Sequence, residues 1–405
     1  METELSSWDF KKANTKEYTH GFHTYPAMMI PQIARRLLNL YGKNAKVLLD
    51  PFMGSGTSLV EASLTHNIET AYGFDLNPLA VLMSKVKTTP LDSNILKKEL
   101  EQISYSEKSI SVTPTFNNIE FWFKPKIIND LSILKNQINK IQEENIRNFF
   151  LLAFSETVRN CSNTRKKEFK LYRKSEEDLE KHNPDVFRDF KKISLKNIDG
   201  LNEYKKLRNG TKICSTLNDL RKEIPINTDS VDILITSPPY GDSRTTVAYG
   251  QFSRLSLQWL GYEDANQVDK NLLGGVISRD LNINIDSPHL KEIIFQISQI
   301  DQKRAKEVLS FYEDFNKGLY ELDRVMKQGG YVCFVVGNRT VKGINIPTDK
   351  IMIEMFKAIG NYRHMVTYHR NIPNKRMPRI NSPTNKKGQT TPTINNEFIF
   401  ILRKE

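Results

Sequence analysis

The stretch Val47-Leu48-Leu49-Asp50-Pro51-Phe52-Met53-Gly54-Ser55-Gly56-Thr57 decides the fold. A short apolar run ends on an acid, passes through a glycine-rich turn and enters a helix-like segment at 58–64. Strand, glycine turn and helix start, in that order, mark a unit of a doubly wound α/β sheet. The glycines let the backbone approach a ligand, and the helix N-terminus faces an electronegative group. Two ligand readings fail on residue type. A phosphate loop needs Lys before its final Ser/Thr, whereas Thr57-Ser58 follows Gly56 directly. A dinucleotide fingerprint needs a third glycine where Leu59 stands. A methyl-donor loop instead needs an acid at the end of the next strand, to take ribose hydroxyls. Asp75, in Gly73-Phe74-Asp75-Leu76-Asn77-Pro78, stands about 20 residues past the loop, as that geometry requires. A tight turn without a ligand is the remaining alternative.

Working outward, apolar runs bounded by turn residues predict strands at 46–49, 70–74, 231–235, 331–336, 365–368 and 397–402, with a weaker one at 212–215. Helix-like stretches at 78–86 and 348–359 lie between them. Strands alternating with helices predict a mainly parallel, doubly wound, Rossmann-like sheet. The alternation stops after Pro90. Residues 1–91 and 211–405 are expected to form one sheet domain, split by a helical insertion over 92–210 and a second insertion at about 241–303. The first insertion has helical periodicity over 126–156, with Ile127, Leu131, Leu134, Ile138 and Ile141 on one face. It also carries a basic run at 165–174 with Phe169 and Tyr172 interleaved.

A second motif, Thr236-Ser237-Pro238-Pro239-Tyr240-Gly241, follows the apolar run 231–235. Tandem prolines cannot continue a ladder, so the strand ends in a rigid turn at the carboxyl edge of the sheet, where such folds bind ligands. The residue types suit an exocyclic base amine, whose lone pair is delocalised into the ring. Ser237 offers a side-chain oxygen and Pro238 a carbonyl, acceptors that hold the amine hydrogens and take up developing positive charge. The Ser237 hydroxyl can also donate to the ring N3 of cytosine or N1 of adenine. Tyr240 offers a face on which a flipped-out base stacks. A proline turn that merely closes a strand is the competing reading.

The composition bounds the rest. The chain has 405 residues, 39% of them hydrophobic, enough to bury a large core with an insertion. A net charge of +12 suits a polyanionic partner, because Lys and Arg displace counterions from phosphates. Arg165, Lys166, Lys167 and Lys170, with Arg173 and Lys174, are candidates to track DNA phosphates, against a solvated basic helix face. Arg244, Tyr249, Gln251 and Arg254 follow the proline turn closely and are placed to meet the target base or its neighbours. Lys375, Arg376 and Arg379 in a Pro- and Asn-rich segment are further candidates for backbone phosphates. The three cysteines, Cys161, Cys214 and Cys333, are widely spaced, and His20, His23 and His66 lack metal-ligand spacing, so no metal site is expected. Neither a signal peptide nor a membrane-spanning run is visible, which predicts a cytoplasmic protein.

With both motifs present, the chain resembles the DNA amino-methyltransferases of bacterial restriction–modification systems. Residues 50–57 match their Asp-Pro-Phe-x-Gly-x-Gly-Thr donor motif, and Ser237-Pro238-Pro239-Tyr240 matches their catalytic motif in the form most associated with cytosine N4. His23-Thr24-Tyr25-Pro26-Ala27 with the segment 31–40 looks like their N-terminal motif, which closes over the methionine end of the donor. Residues 322–331 look like the helix and turn before the next strand, and 397–402 like a last, antiparallel strand. The resemblance implies S-adenosylmethionine as cofactor, held by Tyr25, Asp50, Pro51, Phe52, Gly54, Gly56, Thr57, Asp75 and Asn77. It implies double-stranded DNA as substrate and a cognate restriction endonuclease acting separately. Adenine N6 is the near alternative; an RNA substrate and a non-catalytic DNA-binding role are more remote. Cytosine-C5 chemistry needs a thiolate, typically in a Pro-Cys pair, and the sequence has none. One departure concerns the donor adenine. The family usually carries Asp at the end of the third strand, where this chain reads Cys214-Ser215-Thr216-Leu217-Asn218-Asp219, leaving Thr216, Asn218 and Asp219 as alternatives.

Overall fold

Successive residues of a strand point to opposite faces of a sheet, and here both faces are apolar. Ile233, Ile235, Cys333, Val335, Ile399 and Ile401 enter one core, while Leu234, Val332, Phe334, Val336, Phe400 and Leu402 enter another. A sheet buried on both sides carries near-continuous apolar runs, which is why the sequence marks its strands so plainly. The computed structural model describes residues 7–65, 67–103, 113–165, 169–241, 246–372, 380–381, 391–392 and 396–405.

Seven strands form the central sheet: β1 (Val47–Asp50), β2 (Thr70–Asp75), β3 (Lys212–Leu217), β4 (Val231–Thr236), β5 (Met326–Gly337), β6 (Tyr362–Asn371) and β7 (Asn396–Lys404). Their order is β3-β2-β1-β4-β5-β7-β6. All pairings from β3 across to β5 are parallel, and β7 runs antiparallel to both β5 and β6. The last strand therefore lies inside the sheet, with β6 as the edge.

Helices α1 (Pro31–Tyr41) and α2 (Thr57–Ser63) cover the first face. Helices α9 (Pro288–Ile300), α10 (Gln302–Val325) and α11 (Thr348–Ile359) cover the second. A third cluster gathers α3 (Pro78–Thr88), α4 (Ser93–Gln102), α5 (Pro125–Asn139), α6 (Glu144–Cys161), α7 (Val186–Leu207) and α8 (Tyr249–Leu260) around Phe149, Phe154 and Trp259. Side-chain caps set several of these starts: Asn77 for α3, Asp92 for α4, Glu143 for α6 and Asp185 for α7.

Two expectations change. The periodicity over 126–156 resolves into α5 and α6, broken at Lys140 and restarted by the Glu143 cap. The basic run 165–174 is no helix in its described part: Thr164 and Arg173 bridge antiparallel, and Arg165 N donates to the Tyr172 carbonyl at 2.9 Å. The stretch 322–331 runs as expected from helix into strand: α10 stops at Val325, and the pairing of β5 with β4 shifts register between Met326 and Tyr331, where Gly329 takes φ +81°.

Candidate active site

The strand order reverses direction between β1 and β4, so the loops leaving them diverge and open a crevice at the carboxyl edge. The glycine loop leaves β1 and the Ser-Pro-Pro turn leaves β4. A cleft of about 840 Å³, counting space open to solvent, lies there. Tyr25, Asp50, Pro51, Phe52, Gly54, Thr57, Asp75, Ser237 and Pro239 all line it. Gly56, Asn77, Pro238 and Tyr240 do not. Gly56 caps α2 at φ +77°, and a Cβ there would lie 2.5 Å from Ser84 Oγ on α3, so its role is close helix packing. Asn77 is fully buried, donating to Tyr25 Oη at 3.1 Å and Ser253 Oγ at 2.7 Å and accepting from Leu79 N.

Two acids stand at the loop. Asp75 accepts from Gly54 N at 3.0 Å and Asn77 N at 2.8 Å, which fixes the loop to the end of β2. Burial pushes its carboxyl up to about 6 against those bonds. Asp50 accepts from Phe52 N at 3.1 Å, from Thr236 Oγ1 at 2.6 Å and from the Ser58 hydroxyl. Burial raises it also to about 6. Thr236 immediately precedes Ser237, so Asp50 ties the glycine loop to the proline turn. Behind the loop, Lys87 is 2% exposed, with Nζ 2.6 Å from the Ser55 carbonyl, and burial lowers it to about 7.

The Tyr25 ring packs 5.8 Å from that of Tyr249 and 6.0 Å from that of Phe252, closing one wall. Its neighbours anchor it to α6: Glu156 accepts from Thr24 N at 3.3 Å and Thr24 Oγ1 at 2.9 Å, and His23 Nε2 lies 2.9 Å from Ser155 Oγ. The N-terminal motif is thus held by the helical cluster, a link invisible in the sequence. On the proline turn, the Tyr240 hydroxyl lies 3.0 Å from Glu397 Oε1 and 3.2 Å from Ser237 Oγ, while its ring packs on the core beneath the sheet.

At the third strand, Asn218 and Asp219 line the cleft and Thr216 is exposed outside it. Arg221 holds both oxygens of Asp219, at 2.8 and 2.9 Å. Leu220, Leu272 and Leu273 supply apolar walls; the last two come from the second insertion, and nothing in their spacing announces it. Tyr249, expected near a base, opens α8 and lines the cleft. Arg254 sits one turn further along α8, half-buried, with a buried Nε. Arg165 is exposed and Lys170 half-exposed beside α8, where Leu171 N meets Gln251 Oε1 at 3.4 Å. Lys174 instead donates to the Ser162 and Thr164 carbonyls, and Arg173 pairs with Glu176. Lys166, Lys167, Arg244, His66, Lys375, Arg376 and Arg379 lie outside the described residues. Among the described residues, no group of three or more His, Cys, Asp or Glu could hold a metal ion, and no helix is long and apolar enough to cross a membrane.

Comparison with known proteins adds to this geometry. The DNA methylase family N6_N4_Mtase matches residues 2–86, which contain the glycine loop and Asp75. Type II methyltransferase M.MvaI of Kocuria varians is 45% identical over 424 residues, spanning 97% of this chain and 93% of that protein. Type II methyltransferase M.MjaII of Methanocaldococcus jannaschii is 35% identical over 109 residues, 26% of this chain and 20% of that protein. Among solved structures, an rRNA methyltransferase of Streptomyces viridochromogenes aligns with 94% of this chain and 88% of its own at 9% identity and a TM-score of 0.33, a likeness too loose to carry an argument.

Proposed function

Since this chain belongs to the DNA amino-methyltransferases of restriction–modification systems, we propose that it transfers a methyl group from S-adenosylmethionine to N4 of cytosine in double-stranded DNA. One observation carries this reading: the glycine loop with Asp75 and the turn with Ser237 open into the same cleft, tied together by Asp50 and Thr236.

The cleft suits the donor. Asp75 supplies a charged acceptor for ribose hydroxyls, and the missing side chain at Gly54 leaves room beside it. Asn218 offers an amide to a purine edge between the apolar side chains of Leu220, Leu272 and Leu273. Tyr25 and its neighbours cover the other end. When bound, S-adenosylmethionine supplies an electrophilic methyl group on a sulfonium centre.

The protein's own task is to make a delocalised amine nucleophilic. Ser237 Oγ and the Pro238 carbonyl accept the two amine hydrogens, favour a pyramidal nitrogen and share the positive charge that develops as the N–C bond forms. One proton of the cationic methylated amine is then released to bulk water. Tyr240 has its hydroxyl pinned and one side of its ring on the core, and the partly exposed remainder of the ring is assigned to the base as a stacking platform. Transfer is direct. Cys161 and Cys333 are buried and Cys214 is on β3, and none of the three lines the cleft. Arg165 and Lys170, with Lys166 and Lys167, are assigned to phosphates, and the endonuclease partner acts as a separate protein in the same cytoplasm. The preference for cytosine rests on Ser at position 237.

The test uses labelled donor and unmethylated genomic DNA, followed by mass spectrometry of the nucleosides. N4-methylcytosine is expected. N6-methyladenine alone would overturn the base and leave the mechanism standing; DNA without any methylated base would overturn the activity.

A further inference from the structure

Glu397 stands 157 residues after Tyr240 in the chain, yet accepts from its hydroxyl. It reaches the turn because β7 runs antiparallel and so begins at the edge where the parallel strands end. There Glu397 lies opposite Gly337 of β5 on one side and Arg370 of β6 on the other. Its second oxygen, Oε2, accepts from Nη1 of Arg370, whose Nε donates to the Trp8 carbonyl at 3.0 Å. The two side chains are 14% and 6% exposed, so the pair is sheltered from water.

An Arg–carboxylate pair is charge-assisted, and an ionised carboxylate accepts hydrogen bonds without donating any. The single proton on Tyr240 Oη therefore points to Glu397, 3.0 Å away. That leaves the phenolic oxygen with acceptor capacity alone, so the 3.2 Å contact with Ser237 is satisfied in one direction, Ser237 donating. With its own proton committed, Ser237 turns lone pairs toward the cleft.

We propose that Glu397, fixed by Arg370, is a positioning residue that directs the hydroxyl chain Ser237→Tyr240→Glu397 and so presents Ser237 to the target purely as an acceptor. The proposal rests on the assignment of Ser237 to the amine. It removes an option the sequence leaves open, a Ser237 hydroxyl donating to a ring nitrogen. It also gives the turn a selectivity: an exocyclic amine meets an acceptor, whereas the carbonyl of a keto base meets another acceptor and is refused.

Single-turnover transfer rates at saturating DNA and donor, donor affinity and Tm, measured on full-length variants, test it. Tyr240→Phe keeps the ring and loses the hydroxyl. Glu397→Gln keeps the shape and can donate from its amide, reversing the chain. Each should slow transfer about tenfold, the loss of one oriented hydrogen bond, with donor affinity unchanged; Tyr240→Phe should keep Tm nearly unchanged, whereas Glu397→Gln should lower it, because Arg370 loses its carboxylate. Combined, they should be no slower than the slower single variant, because both act through one chain. If Ser237→Ala transfers at the wild-type rate, the assignment of Ser237 falls and the chain with it. If Ser237→Ala is slow but Tyr240→Phe and Glu397→Gln keep the wild-type rate, the chain alone falls. If Glu397→Gln loses rate, Tm and donor affinity together while Tyr240→Phe keeps its rate, Glu397 is a strut of β7 and the proposal is overturned.

Discussion

Asp75 and Asp50 share an environment and part in function. Asp75 lines the cleft and holds the glycine loop through Gly54 N, whereas the oxygens of Asp50 are taken by Phe52, Ser58 and Thr236. Asp75→Ala removes a charged acceptor worth about 1.5–3 kcal/mol, so calorimetry should show donor affinity falling roughly tenfold or more. Unchanged affinity would refute the role. Because burial lifts Asp75 to about 6, its carboxylate is lost as pH falls through that value. Donor affinity should therefore drop by about tenfold per pH unit below it, and Asp75→Asn should flatten that slope. Stability of the donor-free protein runs the other way. The folded chain holds protons on Asp50 and Asp75 that the unfolded chain releases from the ordinary value of 3.8 upward, so their contribution to stability declines as pH rises from 3.8 to about 6. Thermal unfolding followed across that window checks the sign.

At the scale of elements, the bridged segment around Thr164 and Arg173 separates lysines that look equivalent in sequence. Lys170 is half-exposed, whereas Lys174 donates to two carbonyls at 2.8 Å. Neutralising Arg165, Lys166, Lys167 and Lys170 together should flatten log K against log salt by about 0.9 per lost phosphate contact. Lys174→Ala should leave that slope alone and cost about 1–3 kcal/mol of stability, because it strands buried carbonyls. A slope that ignores the first set would make those residues solvated surface. Helix α6 offers a second test. Glu156 accepts two bonds from Thr24, beside Tyr25 in the cleft wall. Glu156→Ala should weaken donor binding about tenfold while leaving the salt slope of DNA binding unchanged, and titration calorimetry beside salt-dependent DNA binding distinguishes the two.

For the whole molecule, the core around Phe149 and Trp259 joins α4 to α7 with Phe22, Tyr25, Val60 and Leu79. The residues of the first insertion therefore bury their apolar faces against the sheet unit and not among themselves alone. We expect one calorimetric transition for the full chain, with equal calorimetric and van't Hoff enthalpies, and no cooperative transition for the isolated fragment 92–210. Two separated transitions would mark an independent domain.

What local spacing encodes is legible in the amino-acid sequence by itself. Apolar runs bounded by turn formers mark the inner strands of the sheet, because a strand buried on both faces has few polar residues to obscure it, whereas the outer strands β3 and β6 keep exposed polar positions and are marked weakly or in part. The glycine loop and the tandem prolines declare themselves because few residue types tolerate those backbones. Asp75 follows from the loop by distance along the chain. Three-dimensional contact decides the rest. Asn77 and Asp75, two positions apart, look alike as cleft residues in sequence, yet the strand-to-helix turn buries the first as a cap and leaves the second open. Asn218 and Asp219 are told apart only by Arg221, which holds the acid. Glu397 carries no signal at all in the sequence. Hydrogen bonding between residues 157 positions apart leaves no periodicity in the chain, and it is the antiparallel return of β7 that sets a carboxylate against the Tyr240 hydroxyl of the Ser-Pro-Pro-Tyr turn.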